Sequence, residues 1–151
     1  MEIRIIYTNG KNADFISLCK KLDLEADALI GTDLRKEFHI DNHLDVVHDV
    51  FVAYFEYKPI ACAGFKDKGE KRAEVKRVFT EDGFRCLGIS KKLMRKVEEE
   101  AKKQGYQELV LESSKELVNA IKMYQKLGYQ EIEKFYPYEN STISICMGKK
   151  I

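Results

Sequence analysis

Proline is scarce in this sequence: only Pro59 and Pro137 occur in 151 residues. There is also no Pro/Gly/Ser-rich linker, internal repeat or low-complexity tract. The chain therefore reads as continuous structure in one domain, residues 1–151, with a single core. Long apolar runs are missing too, since no segment reaches the roughly 18 consecutive apolar residues a membrane span needs. The opening MEIRIIYTNG has neither a long apolar stretch nor a cleavage pattern, which argues against a secretory signal. Neither sign of charge dominates. Lys and Arg total 26 against 25 Asp and Glu, and the net +1 gives no sign of a nucleic-acid or membrane partner. The four cysteines, Cys19, Cys62, Cys86 and Cys146, form no CxxC pair, so neither a zinc knuckle nor a redox dithiol is indicated. They read as reduced thiols of a cytoplasmic protein, mostly packed as small apolar residues.

What the sequence does contain is an alternation of strand and helix patterns. Glu2–Thr8 reads as a strand. From Asn12, a capping residue, to about Leu29, the residues Phe15, Leu18, Cys19 and Leu22 recur at helical spacing. Residues 33–49 are ambiguous, with room for a short second helix, and hold all three histidines. Three strands follow: Val50–Tyr57, Ile60–Lys66 and Lys71–Thr80. Turns are expected at Tyr57-Lys58-Pro59 and at Asp67-Lys68-Gly69-Glu70. Gly88–Lys103 is the clearest helix, with Ile89, Leu93, Val97 and Ala101 on one face and Gly105 as its stop. Its Glu98–Lys102 and Glu99–Lys103 pairs have favourable spacing. Glu108–Glu112 is a buried-type strand. Ser113 to Glu116 fits a capping box for a helix ending at Leu127-Gly128. Tyr129–Tyr136 and Thr142–Met147 close the chain as strands. A meander followed by βαβαβ implies a mixed α/β sheet with helices on its faces.

The chemistry concentrates where the strand ending at Thr80 feeds a short loop and then a helix. The first turn of a helix presents unpaired N–H groups and a partial positive charge, which suits a pyrophosphate. Gly88 removes a side chain where the backbone would meet that anion. Arg85 precedes the helix, and Lys91 and Lys92 lie in its first turn, where cations oppose the helix dipole. With the like-charged Lys91–Arg95 and Lys92–Lys96 pairs they cost about 1–2 kcal/mol, a sign that a bound anion would reverse. A solvated basic face at a helix start explains the charges alone equally well.

Arg85-x-x-Gly88-x-Ser90 resembles the (Gln/Arg)-x-x-Gly-x-(Gly/Ala) signature of the GNAT superfamily of N-acetyltransferases. Further on, Ala120-Ile-x-x-Tyr124-x-Lys126-x-Gly128-Tyr129 resembles a second segment of that family. The resemblance runs from about Val50 to the C-terminus and departs from the pattern twice. Ser90 stands where Gly or Ala is usual. Leu117 stands where an Asn is common, while Asn119 directly precedes Ala120.

The resemblance implies an acyl-CoA N-acyltransferase-like fold: a mostly antiparallel central sheet, a splayed parallel pair, and helices on both faces. It implies direct transfer of an acetyl group from acetyl-CoA to a primary amine, on a small molecule or a protein, with no metal. Cofactor contacts would come from Val78, Phe79 and Thr80 on the strand, and from Arg85, Cys86, Leu87, Gly88, Ile89, Ser90 and Lys91 at the loop and helix start. Asn119 would add another. An N–H near Val78 would polarise the thioester carbonyl. Glu74 is the candidate base, the other reading being an outward-facing carboxylate paired with Lys76. Tyr124 is the candidate acid, the other reading being a packed aromatic in line with Ala120.

Three further features stand apart from that resemblance. His39 and His43 have the spacing of a metal site on a helix face, but Ile40 stands where a metalloprotease glutamate would be, so a surface or an acceptor-pocket wall is preferred. Cys86, beside Arg85, invites a lowered thiol pKa without a covalent acetyl step. Phe135, Tyr136 and Tyr138 either border the acceptor site or pack a strand end. A non-catalytic acetyl-CoA sensor or complex subunit is the alternative to an enzyme. A homodimer through the late strands rests on analogy alone.

Overall fold

In the computed structural model, which describes residues 1–31 and 44–151, the strands build one seven-stranded sheet among the described residues. In chain order the elements are β1 (Ile3–Thr8), α1 (Ala13–Ile30), a 3-10 turn (Leu44–Val46), β2 (Asp49–Phe55), β3 (Lys58–Gly69) and β4 (Arg72–Thr80). Then come α2 (Ile89–Lys103), β5 (Glu108–Ser114), α3 (Val118–Lys126), β6 (Gln130–Ile132) and β7 (Ser144–Lys150). The sheet order is β1-β2-β3-β4-β5-β7-β6, antiparallel except for β4–β5. This is the mixed, mostly antiparallel sheet with a single parallel pair that the sequence led us to expect.

Alternation along β2 and β3 sends side chains to two cores. Phe51, Ala53, Ala61, Ala63 and Phe65 face α2, which contributes the stripe of Ile89, Leu93, Val97 and Ala101, none more than 2% exposed. Val50, Val52, Tyr54 and Cys62 face α1 and pack on Phe15, Leu18 and Cys19. Both faces of these strands are buried, which explains their near-continuous apolar sequence. Three cysteines are buried as expected, while Cys86 is exposed.

Local chemistry sets the ends. The Asn12 side chain accepts from the Phe15 N–H at 3.0 Å and starts α1. The β3–β4 turn falls two residues later than expected. β3 continues through Gly69, and the turn residues are Glu70 and Lys71, with φ of 58° and 60°, a two-residue hairpin matching the strand twist. The first hairpin turns at Glu56 and Tyr57, so Lys58 and Pro59 belong to β3, and Pro59 lies next to a register shift, where the missing donor is tolerated.

Three expectations are corrected. The capping box at Ser113–Glu116 does not form. Both serines belong to β5, the Ser114 hydroxyl accepts from the Glu116 N–H at 3.3 Å, and α3 starts after Leu117 without a side-chain cap. Glu98 does not pair along its helix with Lys102. It reaches Lys149 of β7 at 3.0 Å, because the helix packs that face on the sheet. The last strands shift as well: β6 is three residues long, and β7 runs on to Lys150, paired along all of β5. His39 and His43 lie outside the described residues. His48 faces the C-terminal end of α2, where its Nδ1 meets the buried Asp49 carboxylate alongside Tyr7 and Gln104.

Candidate active site

The site starts where two strands part. β4 and β5 pair at three positions only, Arg72–Glu108, Ala73–Leu109 and Glu74–Val110. The cause lies in β4. Between the pairs Cys62–Phe79 and Gly64–Lys76 it has one residue more than β3, and Arg77 takes φ 60°. Such a bulge bends its strand and raises the local twist. The left-handed conformation costs a non-glycine residue about 1–2 kcal/mol. Contacts to two elements hold it. The Cys62 Sγ donates to the Arg77 carbonyl at 3.2 Å, and the Arg77 guanidinium donates to Asp23 of α1 at 2.6 Å. Among the described residues Val78 then has no register partner on either β3 or β5.

Two cavities open in the wedge. The larger, about 670 Å³, runs from the end of β4 to the starts of α2 and α3. Val78, Phe79 and Thr80 form one wall of it. Arg85, Cys86 and Gly88 form the loop side, Ile89, Ser90 and Lys91 the helix start, and Asn119 the α3 side. Of the cofactor contacts expected from the sequence, Leu87 alone lies off this wall, its side chain half exposed.

The start of α2 is open. Gly88 caps it with φ 78°, no side chain accepts from its first N–H groups, and its first turn holds no acid. A Cβ added at Gly88 would meet nothing within 4 Å. Unpaired N–H groups therefore face open space, which suits an anion. The Thr80 and Ser90 hydroxyls, 2.9 Å apart, tie the strand end to the helix start. The Arg85 Nε donates to the Thr80 carbonyl at 2.9 Å, and its other end bridges both carboxylate oxygens of Glu25 on α1 at 2.7 Å. Thr80 and Phe79 pair with β3, so of the three strand residues Val78 has the main chain best placed to pair with an added ligand.

The smaller cavity, about 240 Å³, lies between β4, β5 and β7. Glu74 lines it and is 2% exposed. The outward-facing reading of Glu74 is thus corrected, although its pairing with Lys76 is present at 3.7 Å, joined by Lys68 at 3.6 Å and Lys66 at 3.9 Å. A buried carboxylate needs such compensation. Burial lowers the Lys76 pKa, while Glu74 acts against that.

Val78 and Tyr124 line both cavities. The Tyr124 ring packs edge-on against Tyr129, with centroids 5.8 Å apart, and the residue is 6% exposed. Its hydroxyl has no hydrogen-bond partner among the described residues. Burial, and then the Glu112 carboxylate, push the phenol well above its ordinary value. Sequence reasoning missed several members of the small cavity. Glu112, which accepts from the Ser144 hydroxyl at 2.7 Å, and Ser144 itself carry no motif. Tyr138 lines the cavity, while Tyr136 points to solvent. No group of His, Cys, Asp or Glu among the described residues could hold a metal, and no described helix is long and apolar enough to cross a membrane.

The chain has relatives among known proteins. The acetyltransferase (GNAT) family matches residues 18–129, and the chain belongs to that family. Over 92 residues it is 32% identical to the uncharacterised N-acetyltransferase YsnE of Bacillus subtilis, covering 60% of this chain and 61% of that protein. Over 78 residues it is 32% identical to the IAA acetyltransferase of Azospirillum brasilense, covering 52% and 51%. An uncharacterised N-acetyltransferase of Dictyostelium discoideum is 38% identical over 71 residues, 47% of this chain and 33% of that one. The chain thus spans between a third and three fifths of the length of these relatives. Among solved structures, the PaiA N-acetyltransferase of Thermoplasma acidophilum, in complex with coenzyme A, superposes over 100% of both chains with TM-score 0.77 at 18% identity. A GNAT-family acetyltransferase of Staphylococcus aureus covers 99% of both with TM-score 0.76 at 19% identity. At such identities these neighbours show a shared fold.

Proposed function

We propose that this chain transfers an acetyl group from acetyl-CoA directly to a primary amine. The observation that carries the reading is Tyr124, an unpartnered phenol at the junction of an anion-ready cleft and a smaller cavity that holds a buried carboxylate. The larger cleft suits an extended cosubstrate with a pyrophosphate. The N–H groups from Ile89 to Lys91 would meet the phosphates, and the main chain at Val78 would pair with the pantetheine. Its thioester end would then reach the junction. The neighbour solved with coenzyme A shares this fold, which supports the assignment.

The roles of the chain's own groups follow from position. The Val78 N–H would donate to the carbonyl oxygen as negative charge develops there. Glu74, on the amine side, would take the proton that the attacking nitrogen must lose. Tyr124, still protonated at neutral pH, would donate to the departing sulfur. The test is acetyl-CoA calorimetry, followed by an amine screen that reads free CoA, with Tyr124→Phe as control. Release of CoA by some amine, strongly reduced in the variant, supports the reading. Cofactor binding with no turnover on any amine would leave a sensor or subunit instead.

A further inference from the structure

Three lysines surround Glu74, but they are not equivalent. Lys66 and Lys68 approach its Oε1, and neither lines the smaller cavity. Lys68 is turned away, donating to the Tyr136 carbonyl at 2.8 Å with its ammonium 4.5 Å from the Phe135 ring centre. Lys76 approaches the other oxygen, Oε2, at 3.7 Å and lines the cavity. Its side chain is 13% exposed, and its Nζ makes no hydrogen bond to the described residues. The described charged groups around it are Glu74, Glu112, Lys66 and Arg77. It stands on β4 two residues before Val78, in the cavity that also receives Tyr124.

The acceptor side of the site therefore already contains a primary amine, built into its wall. We propose that the chain acetylates itself at Lys76. The inference rests on the acetyltransferase reading. The Nζ lone pair attacks the thioester carbonyl carbon, and a C–N bond forms. Glu74, whose Oε2 is its neighbour, takes the Nζ proton. The C–S bond breaks, and the CoA thiolate leaves with the proton of Tyr124. The products are an acetyl-Lys76 amide and CoA thiol, and the proton held by Glu74 then returns through water to the Tyr124 phenolate, so no further reactant is consumed. Burial favours the neutral amine that this attack requires. Each chain reacts once, and an acceptor amine in the cavity competes with the reaction. The amide removes the positive charge facing Oε2 and narrows the cavity.

The experiment incubates the full chain with acetyl-CoA in the absence of any amine, then maps acetylation by peptide mass spectrometry. Binding of acetyl-CoA is measured on the same sample. The expected result is higher occupancy at Lys76 than at any surface lysine, the direction in which burial moves its amine. The preference disappears in heat-denatured chain, and Lys76→Arg removes the modification from that peptide alone. A second readout needs no turnover: trace labelling with acetic anhydride across pH should place the Lys76 midpoint below those of the surface lysines. If acetyl-CoA binds and Lys76 stays unmodified, or the label spreads as in the denatured chain, self-acetylation is refuted and the acetyltransferase reading stands. A Lys76 midpoint level with the surface lysines also refutes it. If acetyl-CoA does not bind, both readings fall.

Discussion

Replacing Gly88 separates the charge of the helix start from its backbone strain. The residue has φ 78°, and a Cβ there meets nothing within 4 Å. Gly88→Ala therefore adds only strain, about 1–2 kcal/mol, or a melting temperature lower by about 2–8 °C for a domain of this size. Gly88→Glu carries the same strain plus a carboxylate at the positive end of α2. That charge stabilises the helix by about 0.3–1 kcal/mol, so the glutamate variant should melt no lower than the alanine one. Its effect on a bound pyrophosphate is opposite. Two unit charges roughly 5 Å apart at an effective dielectric near 20 repel by about 3 kcal/mol, more than a hundredfold in Kd. Swinging the side chain aside and salt screening reduce this, and a loss of at least about tenfold should remain at low ionic strength, shrinking as salt rises. Calorimetry with acetyl-CoA on the wild type and both variants measures it. Equal affinity in the two variants would show that no phosphate sits at this helix start.

Tyr124→Phe should lower kcat on any accepted amine by about a hundredfold or more and leave the acetyl-CoA Kd unchanged. Its melting temperature should hold, because the hydroxyl has no hydrogen-bond partner among the described residues. Leu93→Ala, at a fully buried position between α2 and the sheet, should cost about 2–5 kcal/mol in urea unfolding. Tyr54 is raised to about 12, by burial first and then by its 2.5 Å bond to Asp14. A folded value above the unfolded one gives stability that is fully present below pH 10.0 and is lost as pH rises through about 12. Tyr54→Phe should therefore melt lower than wild type at pH 7, by the roughly 1–2 kcal/mol of a lost bond, and the gap should close under strongly alkaline conditions.

The helices were legible because their apolar residues recur with one period over four turns: α2 shows Ile89, Leu93, Val97 and Ala101 both in sequence and in the core. The larger cleft was legible because strand, loop and helix start are contiguous in the chain. What escaped was nonlocal. The cap of α3 failed as a prediction because β5 pairs through Ser114 with Ser144, a partner thirty residues away. The surroundings of Glu74 were half legible. Lys76 lies two residues along its own strand, but Lys66 and Lys68 arrive from β3 through a register with a shift that no local pattern specifies.

That register irregularity links fold to chemistry. One extra residue in β4, stabilised by Cys62 from β3 and Asp23 from α1, turns an ordinary parallel ladder into a wedge. An unbulged β4 would keep pairing with β5 past Val110, and the Val78 main chain would be consumed by the sheet. With the bulge, Val78 is released and the two cavities meet at Tyr124. The Arg77 bond to Asp23 makes α1 part of that arrangement, and the Glu25 bond to Arg85 ties the same helix to the loop before α2. α1 thus lines the larger cavity through Glu25 and the smaller through Ala26 and Ile30. The same helix therefore walls both cavities and braces both the β4 bulge and the loop before α2.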